Sequence, residues 1–309
     1  MTISSDASAA EDARVARACE VAAEDSDALL AIVGPTATGK TALAVRVAER
    51  LGGEIVSSDS VQIYAHFDIG AGKPSMEELA RAPHHLVGVI DPLESIDAAR
   101  YAALAERAIA DIRARGKRPI LCGGTFLWTK ALLFGLAEAP SADAAIREKH
   151  DAIARTDGRA ALHARLGAVD PKSAARLHPN DFVRVSRALE VHELTGKAMS
   201  AWQEEHAFAT VRHRARLVGV TCDTSTLTAR IERRVRAFLD AGWIDETRAL
   251  TARGYGEARA MGAVGYREVK MHLDGRLAKD DLAASIVRAT RIFARRQRTW
   301  LNHVDVSWL

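Results

Sequence analysis

The chain has 309 residues and a formal net charge of +3, and aromatic residues make up only 5% of it. This length is enough for one large or two ordinary domains, and the three cysteines are too widely spaced for a disulfide framework or a zinc ribbon. No apolar run approaches the roughly 18 residues that a membrane helix requires, and the N-terminus lacks the apolar segment of a signal peptide. We therefore expect a cytoplasmic protein without a membrane partner.

The start of the chain predicts an extension followed by alternating strands and helices. Residues 1–27 are polar and rich in alanine and acid, which is typical of a disordered N-terminal extension. Leu29–Val33 is a short apolar run that ends at a glycine, as expected of a buried parallel strand, and residues 41–51 have helical spacing. A second strand is predicted at residues 54–57.

The pattern continues with a long amphipathic helix and a third strand. Either Ser95 or Asp97 is predicted to cap this helix, which runs to about Arg115. The sequence RPILCGGT predicts the third strand, and the sequence RLVGVTCD predicts another strand much later in the chain. Strands that alternate with helices indicate an α/β fold with a doubly wound parallel sheet, whose site lies at the carboxyl ends of the strands.

Between the third and the last of these strands, the strand signal disappears and helical patterns replace it. We therefore predict a core in two parts, residues 28–139 and 209–309, with a mainly helical insertion at residues 140–208. The second part of the core ends in basic helices. Residues 1–140 carry an excess of acidic side chains and the remainder an excess of basic ones, which predicts a polyanionic partner larger than a nucleotide.

The sequence AIVGPTATGKTALAVR matches the P-loop pattern G-x-x-x-x-G-K-[ST] at every fixed position and lies between a predicted strand and a predicted helix. Glycines allow a tight turn whose backbone amides point at phosphate oxygens. Lys40 adds a positive charge, and the Thr41 hydroxyl is a candidate Mg²⁺ ligand. The predicted phosphate-binding residues are Gly34, Pro35, Thr36, Ala37, Thr38, Gly39, Lys40 and Thr41.

Asp59 and Thr125 follow two of the predicted strands, so the topology brings them towards the loop. From spacing alone, Asp59 is a Mg²⁺ ligand, a capping residue or a general base, and these alternatives stay open. Thr125, after two glycines, is similarly ambiguous. In a predicted helix over residues 227–242, Arg234 falls inside the apolar stripe and Arg230 at its edge. Such arginines either extend to water or meet an anion in a cleft, and both remain open.

The last helix carries a basic face without interspersed acids, which favours contacts with a phosphate backbone over salt bridges within the helix. Arg184 and Arg187 form a smaller basic face in the insertion. The arginines of the last helix are Arg288, Arg291, Arg295 and Arg298.

Seven stretches, taken in chain order, together resemble the bacterial tRNA dimethylallyltransferases, also called tRNA isopentenyltransferases. They are GPTATGKTALA, SSDSVQIY, DIGAGKP, ILCGGTFLW, LHPNDFVRVSRALEV, GYREV and TRIFARRQRTWL. The resemblance covers roughly residues 29 to 309. It implies that the P-loop holds the diphosphate of dimethylallyl diphosphate rather than ATP, and that the prenyl group moves to the exocyclic N6 amine of the adenine 3′ of the tRNA anticodon.

The resemblance also implies roles for the candidate residues. Asp59 resembles the family's general base, and Thr125 the residue that holds the adenine or the leaving group. Lys40, Mg²⁺ held by Thr41, and Arg230 or Arg234 stabilise the leaving diphosphate. The adenine leaves the anticodon stack to reach the site, and a monomer suffices. The predicted tRNA contacts are Asp59, Ser60, Val61, Gln62, Thr125, Arg147, Val183, Arg184, Val185, Ser186, Arg187, Met261, Gly262, Ala263, Val264, Gly265, Tyr266, Arg267 and the four arginines of the last helix.

Two departures from the family pattern stand out. Ala71 and Gly72 occupy positions where the family usually has Thr-Ala, and Gly262 one where it usually has Gln. Two other functions account for part of the sequence. A P-loop kinase acting on a small molecule or nucleoside explains the first 130 residues or so but not the basic C-terminal helix. A nucleic-acid-binding module with a nucleotide switch explains the charge but not the convergence of Asp59 and Thr125 on the loop.

Overall fold

The computed structural model describes residues 3–301 and 304–309, with side chains from residue 9 onward. The chain forms two compact units. The core unit comprises the chain up to Leu133 together with Arg212–Leu309, and the helical unit comprises Phe134–Val211. The helical unit is slightly longer at both ends than the predicted insertion over residues 140–208.

The core unit is built on a six-stranded sheet in which every pair of neighbouring strands is parallel. The strand order is β3-β2-β4-β1-β5-β6. The predicted α/β class with a parallel sheet is thus confirmed, whereas two edge strands of two residues each were not predicted, because so short a segment carries no pattern. The strands are Leu29–Val33 (β1), Gly53–Ser58 (β2), His84–His85 (β3), Arg118–Gly123 (β4), Ala215–Gly219 (β5) and Ser307–Trp308 (β6).

Register brings the carboxyl ends of the central strands to one edge of the sheet. Val33 at the end of β1 lies level with Gly123 in β4 and with Gly219 in β5, and Ser58 at the end of β2 also lies level with Gly123. The loops that follow β1, β2 and β4 therefore emerge side by side. This edge is where the predicted site residues are expected.

The helices of the core unit surround the sheet and complete the chain. They are Ile3–Ala23 (α1), Lys40–Leu51 (α2), Met76–Arg81 (α3), Ala98–Ala114 (α4), Phe126–Phe134 (α5), then, after the helical unit, Thr224–Asp240 (α11), Trp243–Leu250 (α12), Tyr266–Leu273 (α13) and Lys279–Leu301 (α14). A π-helical turn spans Thr251–Tyr255 and a 3-10 turn spans Arg259–Gly262. Asp97, not Ser95, caps α4, because its carboxylate accepts a hydrogen bond from the Arg100 amide at 2.8 Å.

The prediction of a disordered extension over residues 1–27 was wrong for its described part, since α1 packs on the core; residues 1 and 2 lie outside the described residues. Val15, Ala18, Val21 and Ala22 are buried in one cluster with side chains of α2 and the sheet. Alanine is the strongest helix former, and small apolar residues three or four apart suffice to bury one helix face. The acid content suggests disorder, but Glu11, Asp12 and Glu20 are exposed on this helix and leave its apolar face free to pack.

The helical unit contains five helices around a small apolar cluster of its own. Leu162, Leu166, Val185, Ala188 and Leu189 form this cluster. The helices are Ala144–Thr156 (α6), Arg159–Val169 (α7), Pro171–Arg176 (α8), Phe182–Thr195 (α9) and Met199–His206 (α10). Across the described part of both units, none of the helices is long and apolar enough to cross a membrane.

Candidate active site

The P-loop connects β1 to α2 and depends on close backbone packing. A side chain at Gly34 would place its Cβ 2.4 Å from the Val220 carbonyl oxygen, so only glycine fits there. Gly39 has a φ of +93° and Ala37 a φ of 64°, which keeps the loop in the left-handed region at two points. The Lys40 ammonium donates to the Pro35 carbonyl at 2.6 Å, so the lysine lies across its own loop.

The loop is tied to the last helix by a glutamine that no sequence pattern singles out. Gln297 on α14 accepts a hydrogen bond from the Thr36 amide at 2.8 Å and donates one to the Gly124 carbonyl at 2.9 Å. Its side chain is buried, with only 7% of the residue exposed. Gln297 thus joins the loop after β1 to the loop after β4.

Two arginines of α11 lie close to the P-loop. The sequence left open whether they extend to water or meet an anion in a cleft, and this position suits the second alternative. Arg230 donates to the Thr38 carbonyl at 3.1 Å. Arg234 makes no hydrogen bond with any described residue, and its guanidinium lies 4.7 Å from the Phe238 ring. A Cβ at Gly72 would lie 2.1 Å from the Arg234 guanidinium, so glycine at this departure from the family pattern makes room for the arginine.

Asp59 has one carboxylate oxygen engaged and one without a hydrogen bond from the described residues. Its Oδ1 accepts from the Val61 amide at 2.9 Å and the Gln62 amide at 3.2 Å, a local turn that holds the side chain in place. Thr125 Oγ1 accepts from the Ser60 amide at 3.1 Å and thereby ties the loop after β4 to the loop after β2. The Asp59 side chain thus closes a local turn, and its Oδ2 accepts no hydrogen bond from the described residues and is available for a ligand.

Two cavities open at this edge of the sheet and share four residues. The loop cavity, of about 250 Å³, is lined by the P-loop and by polar groups that include Lys40 and Thr41. The second cavity, of about 380 Å³, is lined by Thr125 and by residues of α11 to α14. The residues that border both cavities are Thr36, Asp59, Arg234 and Phe293.

Electrostatics in the loop cavity favour an anionic ligand. Burial lowers the pKa of Lys40 to about 8, because the charged form loses hydration, while Asp59 acts to raise it. Burial also lowers the pKa of Arg234. Both cations lie in the cavity wall, and no carboxylate of the described residues is within ion-pairing distance of either. A bound anion would therefore provide their ion-pair partner.

The second cavity is shaped by a loop that a single carboxylate holds. Glu246 accepts hydrogen bonds from the Asp68, Ile69 and Gly70 amides at 2.7–3.2 Å and from the Tyr266 hydroxyl at 2.6 Å. Gly70, like Ala71, lines the cavity. The sequence did not single out Glu246, because its role depends on amides that lie far away along the chain.

The predicted tRNA contacts of the core unit divide by exposure. Ser60, Val61, Ala263, Val264 and Arg267 line the second cavity, as does Gly262, which has open space around it. Gln62 lines the loop cavity instead and donates to the Gly72 carbonyl at 2.9 Å. Met261, Gly265 and Tyr266 are buried in the described structure, and their contact with tRNA stays a prediction.

The basic face of α14 borders a separate groove. This groove, of about 600 Å³, lies between α11 and α14 and has an apolar floor that includes Leu227 and Ile231. Its four arginines form no ion pair with the described residues. They are Arg288, Arg291, Arg295 and Arg298.

The predicted contacts of the helical unit are largely occupied within that unit. Arg147 donates to Glu190 at 2.9 Å and Arg187 donates to the same carboxylate at 2.6 Å. Val185 is part of the apolar cluster and Ser186 is buried beside His150, and the contact of these two residues with tRNA stays a prediction. An α-helix turns part of such a run away from the surface, which leaves Val183 and Arg184 exposed.

Comparison with known proteins adds an independent finding. The family model described as IPP transferase matches residues 62–304. The chain is 62% identical to a tRNA dimethylallyltransferase of Sorangium cellulosum, with 91% of this chain and 90% of that one covered. It is 46% identical to a tRNA dimethylallyltransferase of Geobacter metallireducens, with 93% of each chain covered.

Two solved structures of tRNA prenyltransferases are similar to this chain. The full-length tRNA isopentenylpyrophosphate transferase of Bacillus halodurans superposes with a TM-score of 0.67 at 38% identity, over 92% of this chain and 89% of that one. A eukaryotic dimethylallyltransferase acting on tRNA superposes with a TM-score of 0.74 at 28% identity, over 88% of this chain and 69% of that one. The chain therefore belongs to the tRNA dimethylallyltransferases, prenyl-transferring enzymes of tRNA modification.

Proposed function

We propose that the chain transfers a dimethylallyl group from dimethylallyl diphosphate to the exocyclic N6 amine of the adenine 3′ of the tRNA anticodon, and releases diphosphate. The observation that carries this proposal is the meeting of two cavities at Asp59. One cavity is suited to a diphosphate, and the other is open to a flat acceptor. A carboxylate at their junction stands where the bond between donor and acceptor forms.

The loop cavity holds the donor through its diphosphate. The backbone amides at the start of α2 and the Lys40 ammonium face the phosphate oxygens. Arg230 braces the loop through the Thr38 carbonyl, and Arg234 reaches the diphosphate directly, because it has no other hydrogen-bond partner among the described residues. As the bond between the allylic carbon and oxygen breaks, these cations stabilise the negative charge on the leaving group.

The residues present fit a Mg²⁺ ion. The Thr41 hydroxyl lines the loop cavity without a hydrogen bond to any described residue. The described residues contain no cluster of three or more carboxylate, imidazole or thiol groups that forms a complete metal cage. Mg²⁺ typically keeps few protein ligands and binds the substrate's phosphates. Thr41 would hold the ion, which would neutralise part of the diphosphate charge when bound.

The second cavity receives the adenine, which leaves the anticodon stack to enter it. An exocyclic amine is a weak nucleophile, and Asp59 takes its proton as the new bond to the allylic carbon forms. Oδ1 of Asp59 is held by two backbone amides, so Oδ2 is the oxygen that faces the amine. Thr125 positions the Asp59 loop from the side of β4 and lines the cavity wall beside the base.

The tRNA lies on the arginines of α14, whose charges have no ion-pair partner among the described residues. On the helical unit, the exposed Val183 and Arg184 are the contacts at the surface, although Arg184 also pairs with Asp181 at 3.2 Å. Family membership decides between the enzyme alternatives, since it assigns prenyl transfer rather than phosphoryl transfer. A monomer contains both cavities, and a cytoplasmic location fits a tRNA-modifying enzyme.

The proposal is tested with radiolabelled dimethylallyl diphosphate, unmodified tRNA and MgCl₂, with ATP added as a competitor. We expect label to enter tRNA with adenine but not tRNA with guanine 3′ of the anticodon, and ATP to compete poorly. Lys40→Ala weakens donor binding and turnover together, whereas the matched variant Lys117→Ala, an exposed lysine outside both cavities, changes neither. Tight ATP binding with phosphate transfer to an acceptor would contradict the proposal.

A further inference from the structure

Four residues border both cavities, and three of them, Thr36, Asp59 and Arg234, are polar or charged. Such side chains suit a diphosphate and an amine. The fourth is Phe293, the one aromatic side chain at the junction among the described residues. It is 40% exposed. An exposed ring in the wall of two cavities gains free energy when an apolar ligand covers it.

The position of Phe293 is fixed despite its exposure. It lies on α14 one turn before Gln297, and residues four apart share a helix face. Gln297 binds the Thr36 amide of the P-loop and the Gly124 carbonyl after β4. These two hydrogen bonds anchor this part of α14 at the edge of the sheet, where Phe293, like Asp59, lines both cavities.

The chemistry at the junction requires control of water, if the proposed function is correct. In transfer, the bond from the allylic carbon to the diphosphate oxygen breaks, the bond to adenine N6 forms, and the amine proton passes to Asp59. In the competing reaction, a water oxygen bonds to the same carbon and loses a proton, and the products are dimethylallyl alcohol and diphosphate. Because the adenine amine is a weak nucleophile, transfer needs a site from which water is excluded.

We propose that Phe293 packs over the dimethylallyl group at the junction and excludes water from the allylic carbon. The ring thereby sets how the allylic carbon is partitioned between adenine N6 and water. Its face also meets the positive charge that develops on this carbon, an interaction that aromatic rings favour. No other aromatic side chain among the described residues lines both cavities, so this role falls to a single residue.

The test is the number of diphosphate molecules released for each prenyl group found on tRNA, measured with doubly labelled donor. The variants are Phe293→Ala, Phe293→Leu and the matched control Trp300→Ala; Trp300 is an aromatic residue, 46% exposed on the same helix, that lines neither cavity and not the groove between α11 and α14. We expect a ratio near one for the wild type and the control, and a ratio of about two or more for Phe293→Ala. Dimethylallyl alcohol accounts for the excess, and Phe293→Leu is intermediate.

We also expect kcat/KM for the donor to fall about 10-fold in Phe293→Ala, the usual effect of removing an apolar group from a pocket, with tRNA affinity unchanged. A ratio that stays at one in Phe293→Ala overturns the inference. If tRNA affinity falls instead, the ring stacks on a nucleotide and does not guard the donor. Failure of the proposed function looks different, because the wild type itself then transfers no prenyl group to tRNA.

Discussion

Three cations of the core unit that lie at or near the P-loop, Lys40, Arg230 and Arg234, have no ion-pair partner among the described residues, whereas Arg147 and Arg187 of the helical unit share one carboxylate. Lys40 and Arg230 donate to backbone carbonyls, and Arg234 donates to none of the described residues. In the helical unit, Arg147 and Arg187 both bind Glu190, whose side chain is fully buried.

This difference separates two uses of the same residue type. A cation in a cavity wall that has no partner in the fold is available to bind an anionic ligand. Its burial lowers the stability of the fold until that ligand binds. A cation on a buried carboxylate has its hydrogen bonds satisfied within the fold, and its removal costs stability instead. The sequence placed Arg230 and Arg234 in or beside an apolar stripe and Arg187 on a basic face, but it gave no sign of which of them has a carboxylate partner. Their partners distinguish them.

The comparison is most sharply tested at Asp59, where we expect the largest effect. Asp59→Asn preserves the turn made by Oδ1 but cannot accept the amine proton, so single-turnover transfer slows by about 10²–10⁴-fold, the usual contribution of general acid–base catalysis. Stability and tRNA affinity change little. Rapid-quench kinetics with labelled donor measure the rate.

Asp91 offers a matched control for this experiment. Its Oδ1 accepts from the Leu93 amide at 2.8 Å in a similar turn, yet it lines neither cavity. Asp91→Asn is therefore expected to transfer at the wild-type rate. If Asp59→Asn stays within a few-fold of the wild type, Asp59 positions the site or binds metal and is not the base.

The helical unit is expected to show the opposite response, a loss of stability without a loss of chemistry. Glu190→Gln removes two charge-assisted hydrogen-bond pairs and lowers the free energy of unfolding by about 2 kcal/mol, roughly a 30-fold change in the unfolding equilibrium. Urea unfolding followed by circular dichroism measures it, and turnover per folded molecule serves as the functional readout. Glu204→Gln, which breaks the exposed pair with Lys172, is the control and costs less than about 1 kcal/mol.

The pH dependence of this effect has a definite sign. Burial raises the pKa of Glu190, but hydrogen bonds from Arg147 and Arg187 outweigh it and leave the pKa below its usual value. A lowered pKa stabilises the fold above the unfolded-state pKa, and this contribution is lost as the pH falls through the folded-state pKa. The difference between wild type and Glu190→Gln therefore narrows in acid, and a difference independent of pH would contradict the pairing.

Part of this arrangement follows from the sequence alone. The strands β1, β2, β4 and β5 and the P-loop are predictable, because an apolar run and a glycine are local signals. Gln297 and Glu246 are not, because their partners lie 261 and as many as 178 residues away, and only the folded chain brings those amides to them. The pairing of Arg147 and Arg187 escaped prediction for the same reason, since a basic face does not reveal whether a buried carboxylate lies behind it.

A smaller effect is expected at Lys40, whose lowered pKa makes donor binding depend on pH. The free enzyme loses the ammonium charge as the pH rises through about 8, so KM for the donor increases by about 10-fold for each further pH unit. Initial rates from about pH 7 to about pH 9.5 measure this. Lys40→Arg keeps its charge over this range and is expected to show a flat profile, and identical slopes for the two proteins would exclude Lys40 as the titrating group.

The smallest effect is expected on the basic face of α14, and it tests whether unpaired charges outside the cavities also serve a ligand. Bound phosphates release counterions, so Arg291→Gln with Arg295→Gln weakens tRNA binding and flattens the slope of log affinity against log salt by about 0.7 to 0.9 for each phosphate that is no longer neutralised. Donor binding is unchanged, because the P-loop lies on a different element. The matched control is Arg155→Gln with Arg165→Gln, two arginines of the helical unit that pair with Asp151 and Asp157. Filter binding of tRNA at increasing KCl separates the outcomes, and parallel lines for both double variants and the wild type would mean that the unpaired arginines are only solvated.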